Sequence, residues 1–349
     1  MLERLHIRKL RGLRDLKVEG LGPVNVVAGR NNAGKTTLLE AIFLLGGAGN
    51  PRHALNSHVV RMEPADATPA SVWESAWAPL FYDLNVDEPL TISGHHSAVG
   101  DMTLSVALAR PVTTEVPRGG NDRPLTTDRP FERALRFTYV DPRAGQLENQ
   151  AREMPDKVAF DQNDTYSPFN GTILQPRSSN VNEDAVRLGR LRKQKRGDLL
   201  LEALRVLEPR LQAVEDNASS GAPMIWVDVG LRELVPLPTM GAGMTHVTRL
   251  VLAAAMVPDG IVLVDEIENG LHHSVLPDVW HVVGKAAEQF NVQFFATTHS
   301  FECVQAARTA LGSDGFRLHR LDIVKGENRC VTYGPEAMDA AIRHNLEVR

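Results

Sequence analysis

The feature that most constrains the fold is one octapeptide, Gly29-Arg30-Asn31-Asn32-Ala33-Gly34-Lys35-Thr36. The apolar residues 24–28 before it are typical of a buried strand, and residues 36–45 after it are typical of a helix that ends at two glycines. Two glycines, a lysine and a hydroxyl residue at this spacing, between a strand and a helix, form the phosphate-binding loop pattern. The octapeptide therefore predicts an α/β fold that holds a phosphate group at the start of a helix.

Each part of this loop has a physical role in the prediction. Glycines let consecutive backbone amides turn toward phosphate oxygens, and the N-terminus of the helix adds positive potential. Lys35 is expected to reach the β and γ phosphates, and the hydroxyl of Thr36 is expected to ligate Mg²⁺. The expected nucleotide-binding residues of the loop are Gly29, Arg30, Asn31, Asn32, Ala33, Gly34, Lys35, Thr36 and Thr37.

A second motif, residues 261–266, is an apolar strand followed by two acids. Because α/β sheets bind ligands at the carboxyl ends of their strands, we expect both acids to lie near the phosphates. Asp265 is expected to hold Mg²⁺ together with Thr36, and Glu266 to orient and deprotonate the attacking water. The next strand end carries His299, which could hydrogen-bond the γ-phosphate or the lytic water, and the favoured role is to sense the γ-phosphate.

The rest of the chain gives a coarser picture. Strands alternate with helices over residues 238–300, which predicts a parallel sheet covered on both faces. Residues 184–214 are helix-like but interrupted by glycines and a proline, so we expect two or three short helices rather than a coiled coil. Residues 141–182 show little periodicity and support no assignment.

Residues 90–109 differ from the alternating strands and helices. They alternate with period two, and this pattern predicts an antiparallel subdomain in which one face carries Met102, Leu104, Val106 and Leu108. Residues 111–130 are rich in proline, glycine and charge, which predicts an exposed loop.

These patterns divide the chain into three parts. We expect residues 1–110 to form the N-terminal part of a nucleotide-binding lobe and residues 225–349 to complete it. Residues 111–224 are then an insertion, partly loop and then short helices.

Composition excludes several classes of protein. Lys and Arg number 38 against 43 Asp and Glu, so the net charge of −5 offers no general attraction to nucleic acids. The longest unbroken apolar stretch, residues 250–257, is far shorter than the roughly 20 residues that span a bilayer. Charges occupy the amino terminus where a signal peptide is apolar. We therefore expect a cytoplasmic protein with no membrane helix.

One local cluster of positive charge remains a candidate for nucleic-acid contact. A solvated helix end is the favoured interpretation, and contact with DNA or RNA phosphates is the alternative. The cluster consists of Arg187, Arg190, Arg192, Lys193, Lys195 and Arg196.

Several segments together resemble one branch of the ABC-type ATPases. The branch contains RecF, the SMC proteins and especially the OLD family, including stand-alone OLD-like ATPases of bacterial antiphage systems. The segments are Leu10-Arg11-Gly12, GRNNAGKTTLLEA, MGAGM, VLVDEIENGLHHSVLPDVW and FFATTHS. The resemblance implies a P-loop NTPase, an ABC-type ATPase head with a mixed sheet, an antiparallel β-subdomain and a helical insertion.

The resemblance also implies a homodimer or a higher homo-oligomer. Each ATP would lie between the phosphate loop of one copy and a signature loop of the other, here Gly241, Ala242 and Gly243. Gly241 stands where transporters and SMC proteins have a serine, so we expect contacts mainly from backbone amides. His272 stands where the ABC pattern usually has an aspartate. The glutamine loop of the family has no evident counterpart, since residues 77–81 resemble the region but carry no glutamine.

The resemblance implies the following function. OLD nucleases carry a Toprim domain after the ATPase, but only 49 residues follow Ser300, so we expect no nuclease in this chain. ATP is expected rather than GTP, because no Asn-Lys-x-Asp motif follows the Asp265 strand. We therefore expect a Mg-ATP-dependent switch or scaffold in antiphage defence with a separate nuclease or toxin as effector. A RecF-like DNA clamp and a nucleotide-gated regulator with little hydrolysis remain as alternatives.

Overall fold

A computed structural model describes residues 1–54, 77–109, 133–153, 158–161, 166–175, 181–217, 221–312 and 314–343. The predicted loop at 111–130 lies outside these residues. The chain divides into two compact units. The first unit contains residues 1–4, 17–39 and 169–349, and the second contains residues 5–16 and 40–168. Because each unit combines separate stretches of chain, this division does not test the predicted boundaries at residues 110 and 224, and those boundaries stay a prediction.

The described elements are numbered in chain order. The strands are β1 Leu2–Leu10, β2 Leu13–Glu19, β3 Val24–Gly29, β4 Leu90–His96, β5 Gly100–Ala109, β6 Arg133–Asp141, β7 Gly145–Glu153, β8 Val158–Phe160, β9 Gly171–Leu174, β10 Ala213–Asn217, β11 Met224–Asp228, β12 Val235–Pro236, β13 Ile261–Val264, β14 Gln293–Thr298, β15 Arg317–Val324 and β16 Glu327–Tyr333. The helices are α1 Lys35–Gly46, α2 Val181–Lys193, α3 Asp198–Arg205, α4 Ala242–Met256, α5 Leu276–Phe290, α6 Phe301–Leu311 and α7 Pro335–Arg343.

The first unit is built on a six-stranded sheet with the order β16-β15-β3-β14-β13-β9. Five of these strands are parallel and β16 pairs antiparallel at one edge. Every residue of β3, β13 and β14 is buried, as expected when helices cover both faces of a parallel sheet. The predicted parallel sheet is therefore confirmed, and its register places the ends of β3, β13 and β14 at one edge.

Helices α4, α5 and α6 bury their apolar faces in the core of this unit. The indole of Trp280, on α5, is fully buried and its Nε1 donates to the carbonyl of Cys303 on α6 at 3.1 Å. Helix α5 ends at Asn291, whose φ of 52° provides the left-handed cap that stops the helix before β14. These helices hold the strand ends in position.

The short helices expected between residues 184 and 214 are confirmed as α2 and α3. Four leucines on these two helices are fully buried: Leu188, Leu191, Leu200 and Leu204. Strands β10, β11 and β12 form a separate antiparallel sheet in the same unit.

The second unit contains most of a seven-stranded sheet with the order β2-β1-β4-β5-β6-β7-β8. Strands β4 to β8 pair antiparallel in sequence order, which confirms the predicted antiparallel subdomain. The pairing of β5 with β6 is continuous through Ala109, so Leu108 stays on the predicted face with Met102, Leu104 and Val106. Those three residues are buried, whereas Leu108 is partly exposed and Ala109 is buried. At the end of a strand, burial depends on which neighbours cover the last residues and no longer on the pleat alone.

Residues 141–182, for which the sequence supports no assignment, contain β7, β8 and β9. Strand β7 buries Asn149 and Glu153 along with Ala151, so its hydrophobic alternation is weak.

None of the described helices is long and apolar enough to cross a membrane.

Candidate functional site

Three sequence motifs meet at the carboxyl edge of the six-stranded sheet. The phosphate loop follows β3, the two acids follow β13, and Thr297 and Thr298 end β14 with His299 directly after it. Residue pairs such as Val264 with Ala296 and Thr298 with Ala28 align these ends. The structure therefore brings together the phosphate-loop residues and the acids that the sequence predicts for the site.

The phosphate loop needs glycine at two positions for different reasons. A Cβ on Gly29 would lie 2.4 Å from the carbonyl oxygen of Leu321, so no side chain fits there. Gly34 has a φ of 98°, a conformation that L residues rarely adopt. Asn32 has a φ of 64°, which asparagine tolerates better than most residues.

Lys35 is folded back over the loop. Its Nζ donates to the carbonyl oxygens of Gly29 at 2.7 Å and Arg30 at 3.0 Å, and the residue is only 9% exposed. Burial lowers the pKa of Lys35, while the charges of Asp265, Glu268 and Glu266 oppose this shift. A partly desolvated ammonium at a loop of backbone amides is arranged to receive an anion.

Thr36 and Asp265 are the residues suited to Mg²⁺. The Thr36 hydroxyl lies 3.1 Å from both oxygens of the Asp265 carboxylate. Mg²⁺ takes oxygen ligands and usually keeps only one or two from the protein, with phosphate oxygens and water as the others. Within the described residues no group of three or more His, Cys, Asp or Glu could hold a metal, and the Thr36–Asp265 pair fits a phosphate-bound Mg²⁺.

Thr297 is a site residue that the sequence analysis did not single out. Its hydroxyl donates to Asp265 Oδ1 at 2.7 Å and accepts from the backbone N–H of Glu266 at 2.8 Å. Its carbonyl oxygen accepts from Ile267 N at 3.1 Å. Glu266 has a φ of 50°, so this residue holds a backbone conformation that is uncommon outside glycine. Thr297 thereby orients both acids from the neighbouring strand.

Glu268 is a second residue that the sequence did not identify. Its Oε1 accepts from Thr298 Oγ1 at 2.7 Å and from His299 N at 2.9 Å, and the His299 Nδ1 lies 3.2 Å away. The Glu268 side chain is 10% exposed, whereas that of His299 is 51% exposed. The signal available in the sequence was only that Glu268 lies two residues after Glu266 in the same loop.

Gln175 occupies a position that the sequence left open. It follows β9, which pairs with β13, and the Asp265 N–H donates to the carbonyl oxygen of Leu174 at 2.9 Å. Gln175 is 7% exposed, and its carbonyl oxygen accepts from Arg249 of α4 at 3.5 Å. A glutamine therefore lies beside the acid-bearing strand end, in a segment where no periodicity pointed to a strand.

The expected signature loop lies at the start of α4. Gly241 precedes the helix with a φ of 99° and has open space where a side chain would be. A Cβ placed on Gly270 would contact Ala242 at 3.9 Å, and one on Gly243 would contact Leu271 at 3.8 Å. The signature loop thus lies against the loop that follows the two acids.

His272 lies on this same loop and is exposed. Its Nδ1 lies 2.9 Å from Ser274 Oγ, so it caps the turn that begins the next helix.

Fewer residues of the basic cluster are available for contact with nucleic acid than the sequence suggests. Arg187 lies 2.5 Å from Glu183, Arg192 lies 2.6 Å from Asp216, and Arg196 stacks 4.6 Å from the ring centre of Phe290. The members with exposed side chains that form no ion pair within the described part of the chain are Arg190, Lys193 and Lys195.

Comparison with known proteins gives a family and a fold. A family described as "AAA domain, putative AbiEii toxin, Type IV TA system" matches residues 24–303. A Helicobacter pylori protein named ATP/GTP phosphatase is 24% identical over 335 residues, 87% of this chain and 87% of that protein. The DNA replication and repair protein RecF of Acinetobacter baumannii is 39% identical over 66 residues, 19% of this chain and 18% of that protein.

A solved Smc head domain from Pyrococcus furiosus, bound to the C-terminal domain of ScpA, matches 99% of both chains. Its identity to this chain is 12% and the TM-score is 0.50. This likeness confirms the predicted fold, an α/β P-loop head with a mixed sheet, an antiparallel β-subdomain and inserted helices.

Proposed function

Because the chain belongs to this AAA-domain family and is an ABC-type P-loop ATPase of the branch that contains OLD, RecF and SMC proteins, we propose that it hydrolyses Mg-ATP as a dimeric switch. The observation that carries the proposal is the contact of the Thr36 hydroxyl with the Asp265 carboxylate, at 3.1 Å, next to the buried Lys35. A hydroxyl, a carboxylate and an ammonium converge there at the start of α1.

The residues of this edge have separate tasks in hydrolysis. Lys35 and the amides of residues 31–36 bind the β and γ phosphates and stabilise the charge that moves between them. Thr36 and Asp265 hold Mg²⁺, which when bound offsets negative charge on the phosphate oxygens. Glu266 orients and deprotonates the attacking water, and His299 contacts the water or the γ-phosphate.

The signature loop supplies the other half of the site from a second copy. Gly241 and Ala242 are exposed at the N-terminus of α4, where the first backbone N–H groups of a helix have no partner within the helix. In this arrangement ATP binding and dimer formation depend on each other. Gln175, beside the Asp265 strand, takes the role of the family's glutamine loop and responds to the bound phosphate and metal.

Phosphate release from purified protein tests this function. Wild type is expected to release phosphate from ATP, Lys35→Ala to lose ATP binding, and Glu266→Gln to bind ATP but hydrolyse it slowly. GTP is assayed in parallel because one relative is named ATP/GTP phosphatase. Wild-type protein that neither binds nor hydrolyses either nucleotide would reject the proposal.

The biological role proposed is a sensor or scaffold in antiphage defence that holds a separate nuclease or toxin. Support comes from the OLD-like motifs and from a family description that refers to a toxin and a type IV toxin–antitoxin system. Co-purification from the expressed operon, with ATP and without nucleotide, is the test. Recovery of the ATPase alone under both conditions would argue against it.

A second candidate is a RecF-like ATPase that clamps DNA, favoured by the local match to RecF. Exposed Arg190, Lys193 and Lys195 are the residues suited to phosphate contact. DNA-stimulated turnover that weakens with salt and is lost in the triple alanine variant would support it. Turnover that duplex DNA leaves unchanged would exclude it.

A further inference from the structure

We propose that Arg249 is a positioning residue that joins Gln175 to α4, the helix that begins at the signature loop, so that nucleotide bound beside Gln175 sets the position of the signature loop in the same copy. This inference rests on the proposed ATPase function, in which Gln175 responds to the bound phosphate and metal. Arg249 acts through Gln175 and α4 and not on the reacting atoms.

The position of Arg249 on α4 relates it to the signature loop. Arg249 lies seven residues after Ala242. Residues seven apart in a helix share one face and are separated by two turns. The guanidinium Nη2 of Arg249 donates to the carbonyl oxygen of Gln175 at 3.5 Å. Helix α4 also packs against β9, the strand that ends directly before Gln175. Arg249 is therefore a direct link between Gln175 and the helix of the signature loop.

The backbone at Gln175 is also held to the strand that carries the acids. Leu174 pairs in register with Val264, and its carbonyl oxygen accepts from the Asp265 N–H at 2.9 Å. Two consecutive carbonyl oxygens thus have partners in different elements. Leu174 bonds to the acid suited to Mg²⁺, and Gln175 bonds to α4. A shift of this backbone on nucleotide binding is therefore passed to α4 through Arg249.

A buried carboxylate on α2 is the charge partner of Arg249. Asp184 is 7% exposed, and Arg187 Nη1 lies 3.7 Å from its Oδ1. Burial raises the pKa of Asp184, and the charges of Arg249 and Arg187 oppose this shift. Burial likewise lowers the pKa of Arg249, and the charge of Asp184 is the largest effect that opposes it. The charges of Asp184 and Arg249 therefore act on each other where α2 packs against α4.

Stability of the fold alone does not require an arginine at this position. Taking charged groups out of water costs free energy, and apolar residues of similar volume often stabilise such a position as well or better. The neighbouring buried residues of α4 are largely apolar and include Val247, Leu250, Val251 and Leu252. A methionine at residue 249 would continue that surface. The arginine instead bonds to a backbone carbonyl next to the acid-bearing strand, and this contact fixes how α4 lies against Gln175.

Loss of this link is expected to separate ATP binding from hydrolysis. Arg249→Met should leave ATP affinity nearly unchanged, because the phosphate loop, Thr36 and Asp265 hold the nucleotide and its metal. The kcat of this variant should fall by about 5- to 30-fold, the size typical of coupling between two sites. Arg249→Lys keeps the charge but not the planar guanidinium, so its kcat should be intermediate.

Hydrogen–deuterium exchange of the full chain, with and without a nonhydrolysable ATP analogue and Mg²⁺, tests the link without catalysis. In wild type the analogue is expected to slow exchange in the phosphate loop and in the first two turns of α4. In Arg249→Met the phosphate loop should be protected as in wild type, whereas α4 should keep its nucleotide-free rate. Equal protection of α4 in both proteins, or protection of the phosphate loop alone in wild type, would overturn the proposal.

A different result would reject the proposed ATPase function, and this inference with it. That result is a wild-type phosphate loop whose exchange the analogue does not change.

Two further variants separate the link from a loss of stability. Asp184→Asn combined with Arg249→Met removes both buried charges, so thermal stability should recover toward wild type while the analogue still fails to protect α4. Arg329→Met makes the same substitution at an exposed residue of β16 and is expected to leave exchange and kcat unchanged. Protection of α4 that returns in the stable double variant would contradict the proposal and assign Arg249 a purely structural role.

Discussion

Two carboxylate clusters, one in each unit, differ in how far the chain satisfies them. Asp141, in the second unit, accepts from the backbone N–H groups of Arg143 and Ala144 on one oxygen and from the hydroxyls of Tyr139 and Tyr166 on the other. Burial alone would raise the pKa of Asp141, but these hydrogen bonds together lower it. Burial and the hydrogen bond to Asp141 together raise the pKa of Tyr166 to about 12.

The cluster at the carboxyl edge of the six-stranded sheet, in the first unit, leaves more of its hydrogen-bonding capacity unused. Glu268 leaves one buried oxygen without a hydrogen-bond partner among the described residues, and Glu266 holds a φ of 50°. Burial lowers the pKa of Lys35 despite three nearby carboxylates. A carboxylate whose bonds are all made within the chain stabilises the fold, whereas a cluster with unused charge and strained backbone is arranged for a ligand. Four substitutions test this distinction.

Lys35→Ala is expected to have the largest effect. Two charge-assisted hydrogen bonds to phosphate, each worth about 2 kcal/mol, are lost, so ATP affinity falls by about 1000-fold. The free energy of unfolding should change by less than about 1 kcal/mol, because burial of this ammonium is unfavourable in the absence of ligand. Fluorescent nucleotide titration and urea unfolding measure the two quantities. A loss of stability as large as the loss of binding free energy would show that Lys35 stabilises the fold and is not reserved for a ligand. Lys285→Ala on the exposed face of α5 is the control.

Glu266→Gln is expected to come next. The amide cannot take a proton from water, so kcat should fall by about 100-fold or more while ATP binding is kept. Single-turnover phosphate release and nucleotide titration separate the two steps. Unchanged turnover would remove Glu266 from its assigned role.

Asp141→Asn is expected to show the opposite behaviour, with lower stability and unchanged chemistry per folded molecule. Loss of the charge weakens four hydrogen bonds, for a total of about 3 kcal/mol. Because the pKa of Asp141 is lowered in the folded chain, its stabilisation is present above the ordinary value of 3.8 and is lost as the pH falls through the folded pKa. Urea unfolding from neutral to acidic pH should therefore show a smaller acid dependence in the variant. An identical dependence would show that Asp141 does not stabilise the fold through its charge.

Thr297→Val is expected to have the smallest effect. The substitution keeps a β-branched side chain in β14 but removes the hydroxyl that joins Asp265 to the Glu266 N–H. A loss of about 1.4 kcal/mol of transition-state stabilisation corresponds to about a 10-fold lower kcat. Steady-state kinetics measures this loss, and Thr309→Val, whose hydroxyl donates to the carbonyl of Gln305 in the same helix, is the matched control. Equal kcat values for the two variants would assign Thr297 a purely structural role.

Several parts of this fold and site were predictable because the information is local. The phosphate loop, the strand before it and the acids after β13 are each encoded within about a dozen residues. Within such a short segment, the glycine positions and the apolar runs are compatible with few local structures. The prediction of short helices at α2 and α3 depended likewise on glycine and proline within one segment.

The parts that the sequence could not predict depend on pairings between distant segments. Gln175 acquires its position only because β9 pairs with β13, about 90 residues later in the chain. Arg192 pairs with Asp216 and Arg196 stacks on Phe290, and both partners belong to other elements. The six basic residues within 187–196 therefore gave no measure of how many are available for contact with nucleic acid.

The amino-acid sequence alone specifies which groups lie at the carboxyl edge of the six-stranded sheet, because a phosphate loop and an acid-bearing strand place a lysine, a hydroxyl and two carboxylates by short-range geometry. The hydrogen bonds that hold those groups depend on the tertiary structure. Thr297 reaches the acids and Glu268 reaches the Thr298–His299 segment because parallel strands bring their carboxyl ends to one edge. A hydrogen bond depends on a distance of a few ångströms in space, and about 30 residues of chain separate the partners in each of these bonds.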